Sequence, residues 1–248
     1  MKLNTFGALT TELLEDKINE VKLQPNFNEG LQPDHIIVGK NGTRYHVPKQ
    51  AFLNALQNPN TYLTQYCQWY LSSKTLILDG KSRINLIARQ KAGDLQQSPQ
   101  TSFQVLFSDD TKREEVRRII YDAFGTYFVI DPTLIGQLRL RLSLRSPETH
   151  IEERGFHREA VNFHKQASLI EQASDGVKAF TGIIIEIIAG NPEIILIDEP
   201  EAFLHPPLSF KLGKEIASST IGSKKRLFVS THSSKFVMGC IQSGGPIN

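Results

Sequence analysis

The chain has 248 residues, 40% of them hydrophobic, which suits one large domain or two small ones with a packed core. Twenty-eight Lys and Arg nearly balance 26 Asp and Glu, so the net charge of +2 demands neither nucleic acid nor an anionic membrane. The two cysteines, Cys67 and Cys240, have neither metal-ligand spacing nor the density of a disulfide scaffold, which makes a reducing, cytoplasmic compartment the expectation.

Residues 1–16 lack the charged-then-apolar order of a signal peptide. The most apolar run, residues 182–190, is interrupted by Glu186 and too short to cross a bilayer, so no membrane segment is expected. Ile36, Ile37 and Val38, with Arg44, Tyr45, His46 and Val47, flank Asn41-Gly42, a pair favoured where both turn residues need positive φ. That predicts a β-hairpin. A second hairpin is predicted where residues 75–78 and 83–87 flank Asp79-Gly80, with Asn85 facing solvent.

From Thr111 the period becomes 3.6, and Val116, Ile119, Ile120, Ala123 and Phe124 form one apolar stripe, the mark of an amphipathic helix. Thr111 and Glu114 have capping-box spacing, and Gly125 stands where a left-handed residue would end the helix. Leu138, Leu140, Leu142 and Leu144 then alternate with Arg139, Arg141, Ser143 and Arg145, a strand with one wet face. A solvated face is the simpler reading of those arginines, and a nucleic-acid surface is the alternative. Residues 146–155, polar and holding Pro147, read as a connection. The expected organisation is an N-terminal β-rich lobe with one amphipathic helix, residues 1–165, followed by a C-terminal parallel-sheet segment, residues 166–248.

Beyond Asn162 the order is polar loop, helix, apolar strand, acidic turn, helix, strand, the alternation of a parallel α/β sheet. Four aliphatic residues at 194–197 suit a central strand covered on both faces, and the run ends in Asp198-Glu199-Pro200. Such sheets bind ligands at the carboxyl ends of their strands. Asp198 there suits Mg²⁺, and Glu199 suits orienting or deprotonating an attacking water, whereas the plain alternative is a surface turn.

The run from Ile194 through Asp198-Glu199-Pro200-Glu201-Ala202-Phe203-Leu204-His205 to Pro206 resembles the Walker B strand and D-loop of ABC-type ATPases. It is especially similar to the prokaryotic heads related to the SMC and OLD families. Upstream, Ser174-Asp175-Gly176 looks like the signature loop, with Asp175 in place of the first glycine of the Ser-Gly-Gly core. Downstream, Leu227 to Ser233 resembles a strand ending in a switch histidine, His232.

The resemblance covers residues 168–239 and implies an α/β fold, a P-loop NTPase of the ABC-ATPase type. It implies ATP and Mg²⁺ as cofactors, Asp198 as the metal ligand, Glu199 and His232 as catalytic residues, and Thr231 as an aid in placing water. It also implies that Ser174, Asp175 and Gly176 offer a helix N-terminus to the γ-phosphate of a partner head, with His205 near the dimer seam. The partner is then a homodimeric copy or a complete ATPase head.

The G-x-x-x-x-G-K-[ST] phosphate loop is not found. Gly39-Lys40 is followed by Asn41 and Gly213-Lys214 by Glu215. Gly80-Lys81-Ser82 matches the last three positions, but Thr75 replaces the first glycine and the flanks read as a hairpin. The family places this loop upstream of the β-rich lobe, so the chain is expected to be an incomplete copy. Gln90, Gln96 and Gln97 all stand near the place of the Q-loop glutamine. Two other readings are carried: a non-catalytic module that pairs with a complete ATPase, and a nucleic-acid-binding protein using Arg139, Arg141 and Arg145.

Overall fold

The computed structural model describes residues 10–23, 25, 30–40, 43–190 and 192–244. The chain divides into two compact units, Met1–Leu76 and Ile77–Asn248. The helices within residues 102–124 pack on the later apolar helix, residues 175–188.

The first unit holds α1 (Thr11–Val21), β1 (Lys22–Leu23), β2 (His35–Lys40), β3 (Thr43–Pro48) and α2 (Lys49–Gln57). A helical stretch follows, composed of α3 (Leu63–Gln65), a π-helical segment (Tyr66–Leu71) and α4 (Ser72–Lys74). The predicted hairpin is present as the antiparallel β2–β3 pair, with Val38 opposite Tyr45, while its turn residues Asn41 and Gly42 lie outside the described residues. Leu14, Ile18, Val38, Val47, Phe52 and Leu56 meet in this unit's core.

The remaining elements are β4 (Thr75–Leu78), α5 (Gly80–Asn85), β5 (Gln90–Lys91), α6 (Ser102–Ser108), α7 (Asp110–Phe124), β6 (Tyr127–Asp131) and β7 (Gln137–Ser143). After them come α8 (His150–Arg154), α9 (Arg158–Gln166), β8 (Ser168–Leu169), α10 (Asp175–Ile188), β9 (Ile194–Asp198), α11 (Pro206–Ser218), β10 (Arg226–Ser230) and α12 (Ser234–Gln242). One sheet has the order β5-β7-β6 with β8 beside β7, and the other has the order β10-β9-β4. β9 and β10 run parallel, with Leu196 opposite Phe228 and Asp198 opposite Ser230. This is the α/β, P-loop NTPase-type fold that the sequence led us to expect.

The second predicted hairpin is a strand followed by a helix. Asp79 Oδ1 accepts from Ser82 N at 2.7 Å, and Ser82 Oγ accepts from Asp79 N at 2.8 Å, a reciprocal cap that starts α5 at Gly80. The cap of α7 also differs from expectation. Asp109, not Thr111, receives the Lys112 amide, although Gly125 ends the helix in the left-handed region at φ 68 as predicted. Within residues 146–155, Thr149 caps α8, which buries Glu152 and Glu153. Arg113 and Arg117 of α7 both pair with Glu153.

The arginines of β7 are not a solvated face. Asp131, fully buried, accepts from Arg139 Nε at 2.7 Å and from Arg141 Nε at 2.6 Å, and Arg145 pairs with Glu152. All three arginines offered to the nucleic-acid reading are thus ion-paired within the fold, and Arg145 is still 45% exposed. Burial opposes ionisation of Asp131, but hydrogen bonds from Thr133 and Arg141 overcome it and hold its pKa at about 2.

A carboxyl group so depressed contributes stability above its unfolded value near 3.9, and that contribution is lost as pH falls toward 2. Its loss should remove on the order of 2 kcal/mol between about pH 4 and pH 2. Chemical denaturation at several pH values should show that acid slope in the wild type. An Asp131→Asn variant should be less stable at neutral pH and flatter over the same window.

Candidate functional site

β9 is the middle strand of its sheet, yet only one face is covered. Ile195 and Ile197 are buried, as are Leu76 and Leu78 of β4, while Ile77 and Phe228 are 68% and 59% exposed and Leu196 is half-buried. The expectation of burial on both faces, and of a buried β10, is thus corrected: Ile77, Leu196 and Phe228 form an open apolar row across three strands. The row floors a groove of about 390 Å³ that ends at Asp79, Asp198 and Ser230.

At that end the chain turns sharply. Glu199 has φ 45 and Phe203 has φ 69, left-handed values that cost a non-glycine residue about 1–3 kcal/mol. The Glu199 amide bonds Ser230 O of β10 at 2.7 Å, and the Glu199 carbonyl receives the Ala202 amide at 2.9 Å. Behind the turn, Arg83 of α5 donates through Nη1 to Asp198 O at 2.9 Å and also to Glu199 O. Burial pushes the Arg83 guanidinium below its ordinary pKa, and the charges of Asp198, Glu201, Asp79 and Glu199 act against that.

His232 Nε2 stands 3.9 Å from Glu199 Oε1, and both side chains are open to solvent. Glu201 holds this pairing in place: its Oε1 accepts from Thr231 Oγ1 at 2.7 Å and from His232 N at 3.0 Å. Thr231 Oγ1 in turn accepts from Ser233 N at 3.0 Å. The Thr231 hydroxyl proton is therefore committed to Glu201, which leaves Thr231 a brace between two loops.

Ser174 caps α10, accepting from Val177 N at 3.4 Å, and Asp175 pairs with Lys178 at 3.0 Å; both Ser174 and Asp175 are exposed. Gly176 is buried against the turn after β9, and a Cβ there would lie 2.5 Å from Phe203 O. The Ser174 turn and the D-loop-like turn are thus adjacent within one chain. His205 is exposed, precedes Pro206 at the start of α11, and makes no side-chain cap bond.

Arg83 and Glu201 were not singled out from the sequence. Glu201 stands in the quoted motif, three residues from Asp198, but its partners Thr231 and His232 come from the loop after β10. Arg83 was assigned to a strand. The helix that does follow β4 removes one objection to Gly80-Lys81-Ser82 as a phosphate loop, but others remain. Only Asp79 separates strand from helix, and its carboxylate already occupies the Ser82 amide.

A family model described as "AAA domain, putative AbiEii toxin, Type IV TA system" matches residues 92–238, more than half of the chain. The chain belongs to this AAA-domain family. The matched span contains the Ser174 turn, Asp198, Glu199 and His232, and it begins after Arg83. An AAA-type ATPase domain is a nucleotide-binding unit of the P-loop NTPase fold. Among solved structures, the AAA domain is similar to one titled "Crystal structure of the SmcHead bound to the C-winged helix domain of ScpA", at 14% identity and a TM-score of 0.40. The match covers 84% of this chain and 60% of that one, so the chain spans about three fifths of the solved structure's length. No curated protein matches. No helix among the described residues is long and apolar enough to cross a membrane.

The Glu201 brace makes a direct prediction. Glu201→Ala removes two charge-assisted bonds and should cost about 1–3 kcal/mol, whereas Glu201→Gln keeps an acceptor and should cost less than half as much. Urea denaturation reads the stability. Amide exchange at His232 should rise in the alanine variant before that of the β6–β7 pair does.

Proposed function

We propose that this AAA domain is an ABC-type ATPase head of the SMC/OLD-like kind, which binds ATP with Mg²⁺ and hydrolyses ATP in a sandwich with a second head. The observation that carries the reading is the meeting of Asp198, Glu199 and His232 at the ends of adjacent parallel strands, braced by Glu201. In this reading Asp198 holds the metal with hard oxygen donors, Glu199 orients the attacking water, and His232 senses the terminal phosphate. Ser174, Asp175 and Gly176 serve a nucleotide held by the partner head, and His205 lies near the seam. The setting is cytoplasmic, and the partner is a second copy or a complete ATPase.

The described residues fit half of such a site. Carboxylates suit a divalent cation, but the described residues lining the groove include no lysine or arginine to hold phosphates. Arg83 faces main-chain carbonyls instead. On this reading a further strand and helix hold the phosphates and cover the open row of Ile77, Leu196 and Phe228. On this reading the chain is an incomplete copy of the head.

A second reading, a non-catalytic head that lends its signature turn to a complete ATPase, is favoured by the exposure of Ser174 and Asp175 at the start of α10. The ion pairing of Arg139, Arg141 and Arg145 weighs against the nucleic-acid reading.

Calorimetric titration of Mg-ATP tests the proposal. This chain should show no saturable binding up to about 1 mM, while a form extended at its N-terminus should bind at least about 10-fold below that concentration. In the extended form, Glu199→Gln should abolish turnover yet leave binding intact. Tight binding by the present chain that is indifferent to Asp198→Asn would overturn the assignment.

A further inference from the structure

Arg83 is 1% exposed and stands among Asp79, Asp198, Glu199 and Glu201, whose charges all act on it. A buried guanidinium normally takes a carboxylate as its partner, where two parallel bonds are available. Here Nη1 is spent on the carbonyl oxygens of Asp198 and Glu199. The carbonyls turn inward to the cation, while the Asp198 and Glu199 side chains are both exposed and Asp198 lines the groove.

Glu199 is held at φ 45, with its amide on Ser230 O and its carbonyl shared between Arg83 and the Ala202 amide. Both peptides flanking the glutamate are thereby tied. The base of the arginine is fixed as well: a Cβ on Gly182 of α10 would lie 2.8 Å from Leu86 Cβ and 3.0 Å from Arg83 O, so α5 rests directly on α10 there. The reach from α5 to the turn is set at both ends.

We propose that Arg83 is a positioning residue that sets the place of the Glu199 carboxylate by holding the Asp198 and Glu199 carbonyls. Its role in hydrolysis rests on the reading of Glu199 given above, whereas its hold on the turn does not. Lysine offers one compact ammonium in place of a planar fork and should reproduce the hold only in part.

The test uses Arg83→Gln and Arg83→Lys in this chain, with amide exchange followed by NMR. In Arg83→Gln the Glu199 and Ala202 amides should exchange at least about 10-fold faster, and in Arg83→Lys about 3-fold faster, while the β6–β7 amides stay within about 2-fold. In an ATP-hydrolysing form, Arg83→Gln should lower kcat about 10-fold or more with KM within about 3-fold, and Arg83→Lys should recover part of the loss. Unchanged exchange at the turn, or an equal rise throughout the second unit, would overturn the proposal. If the glutamine variant does not fold, the lysine variant decides by the same pattern. Absence of hydrolysis in the wild-type protein would defeat the ATPase reading, and the exchange pattern would still decide the role of Arg83.

Discussion

The Arg83 guanidinium, buried behind the β9 turn, donates through Nη1 to two main-chain carbonyls in the presence of four carboxylates. A cation in that position must be compensated, because removing it from water costs several kcal/mol before any partner is found. Pairing it with a carboxylate would have drawn an acid away from the groove. Bonding to carbonyls stabilises the left-handed residue that ends β9 and leaves the acids at the strand ends facing outward. The Glu201 brace extends the same frame to the loop after β10. Three strand ends thus share one hydrogen-bonded network, and a strained turn persists where its surroundings over-determine it.

Elsewhere in the second unit, buried charge is treated differently. Asp131 takes two arginines and Thr133, and Glu153 takes Arg113 and Arg117, so carboxylate and guanidinium are matched directly. Removing one partner of such a group would leave an uncompensated buried charge. The pairs fix β7 against β6 and α7 against α8. Glu186, in the middle of the apolar α10, is instead met by a neutral donor, the Ser102 hydroxyl. Among the described residues of the β10-β9-β4 sheet, Asp79 and Asp198 stand at the strand ends that border the groove.

Periodicity and local pattern made much of this fold legible. The β2–β3 hairpin, the α7 stripe with its Gly125 stop, the Ser174-capped α10 and the β9–β10 strands all follow from signals confined to a few neighbouring residues. The Asp198, Glu199 and His232 meeting was legible because its members sit in one short motif and one strand end. The segment after Asp79 was misread because Asp-Gly between apolar runs signals a hairpin, whereas the Asp79–Ser82 reciprocal cap decides for a helix. Arg83 and Glu201 act through contacts 115 and 31 residues away, and no local pattern encodes such partners. The arginines of β7 alternate as a wet face would, yet their partner Asp131 lies on the neighbouring strand.

An apolar row left open on a parallel sheet is the feature that links the fold to the proposed function, because sheets of this kind are ordinarily covered on both faces. Ile77, Leu196 and Phe228 have the apolar character of a surface meant for a helix, and among the described strands β10 stands at the edge of the sheet. The most direct measurement is the fluorescence of Phe228→Trp in a Trp69→Phe background. In this chain the emission should be that of a solvent-exposed indole, readily quenched by acrylamide, and in the nucleotide-binding form it should shift to the blue and resist quenching. An indole already shielded in this chain, or equally exposed in both forms, would contradict the account.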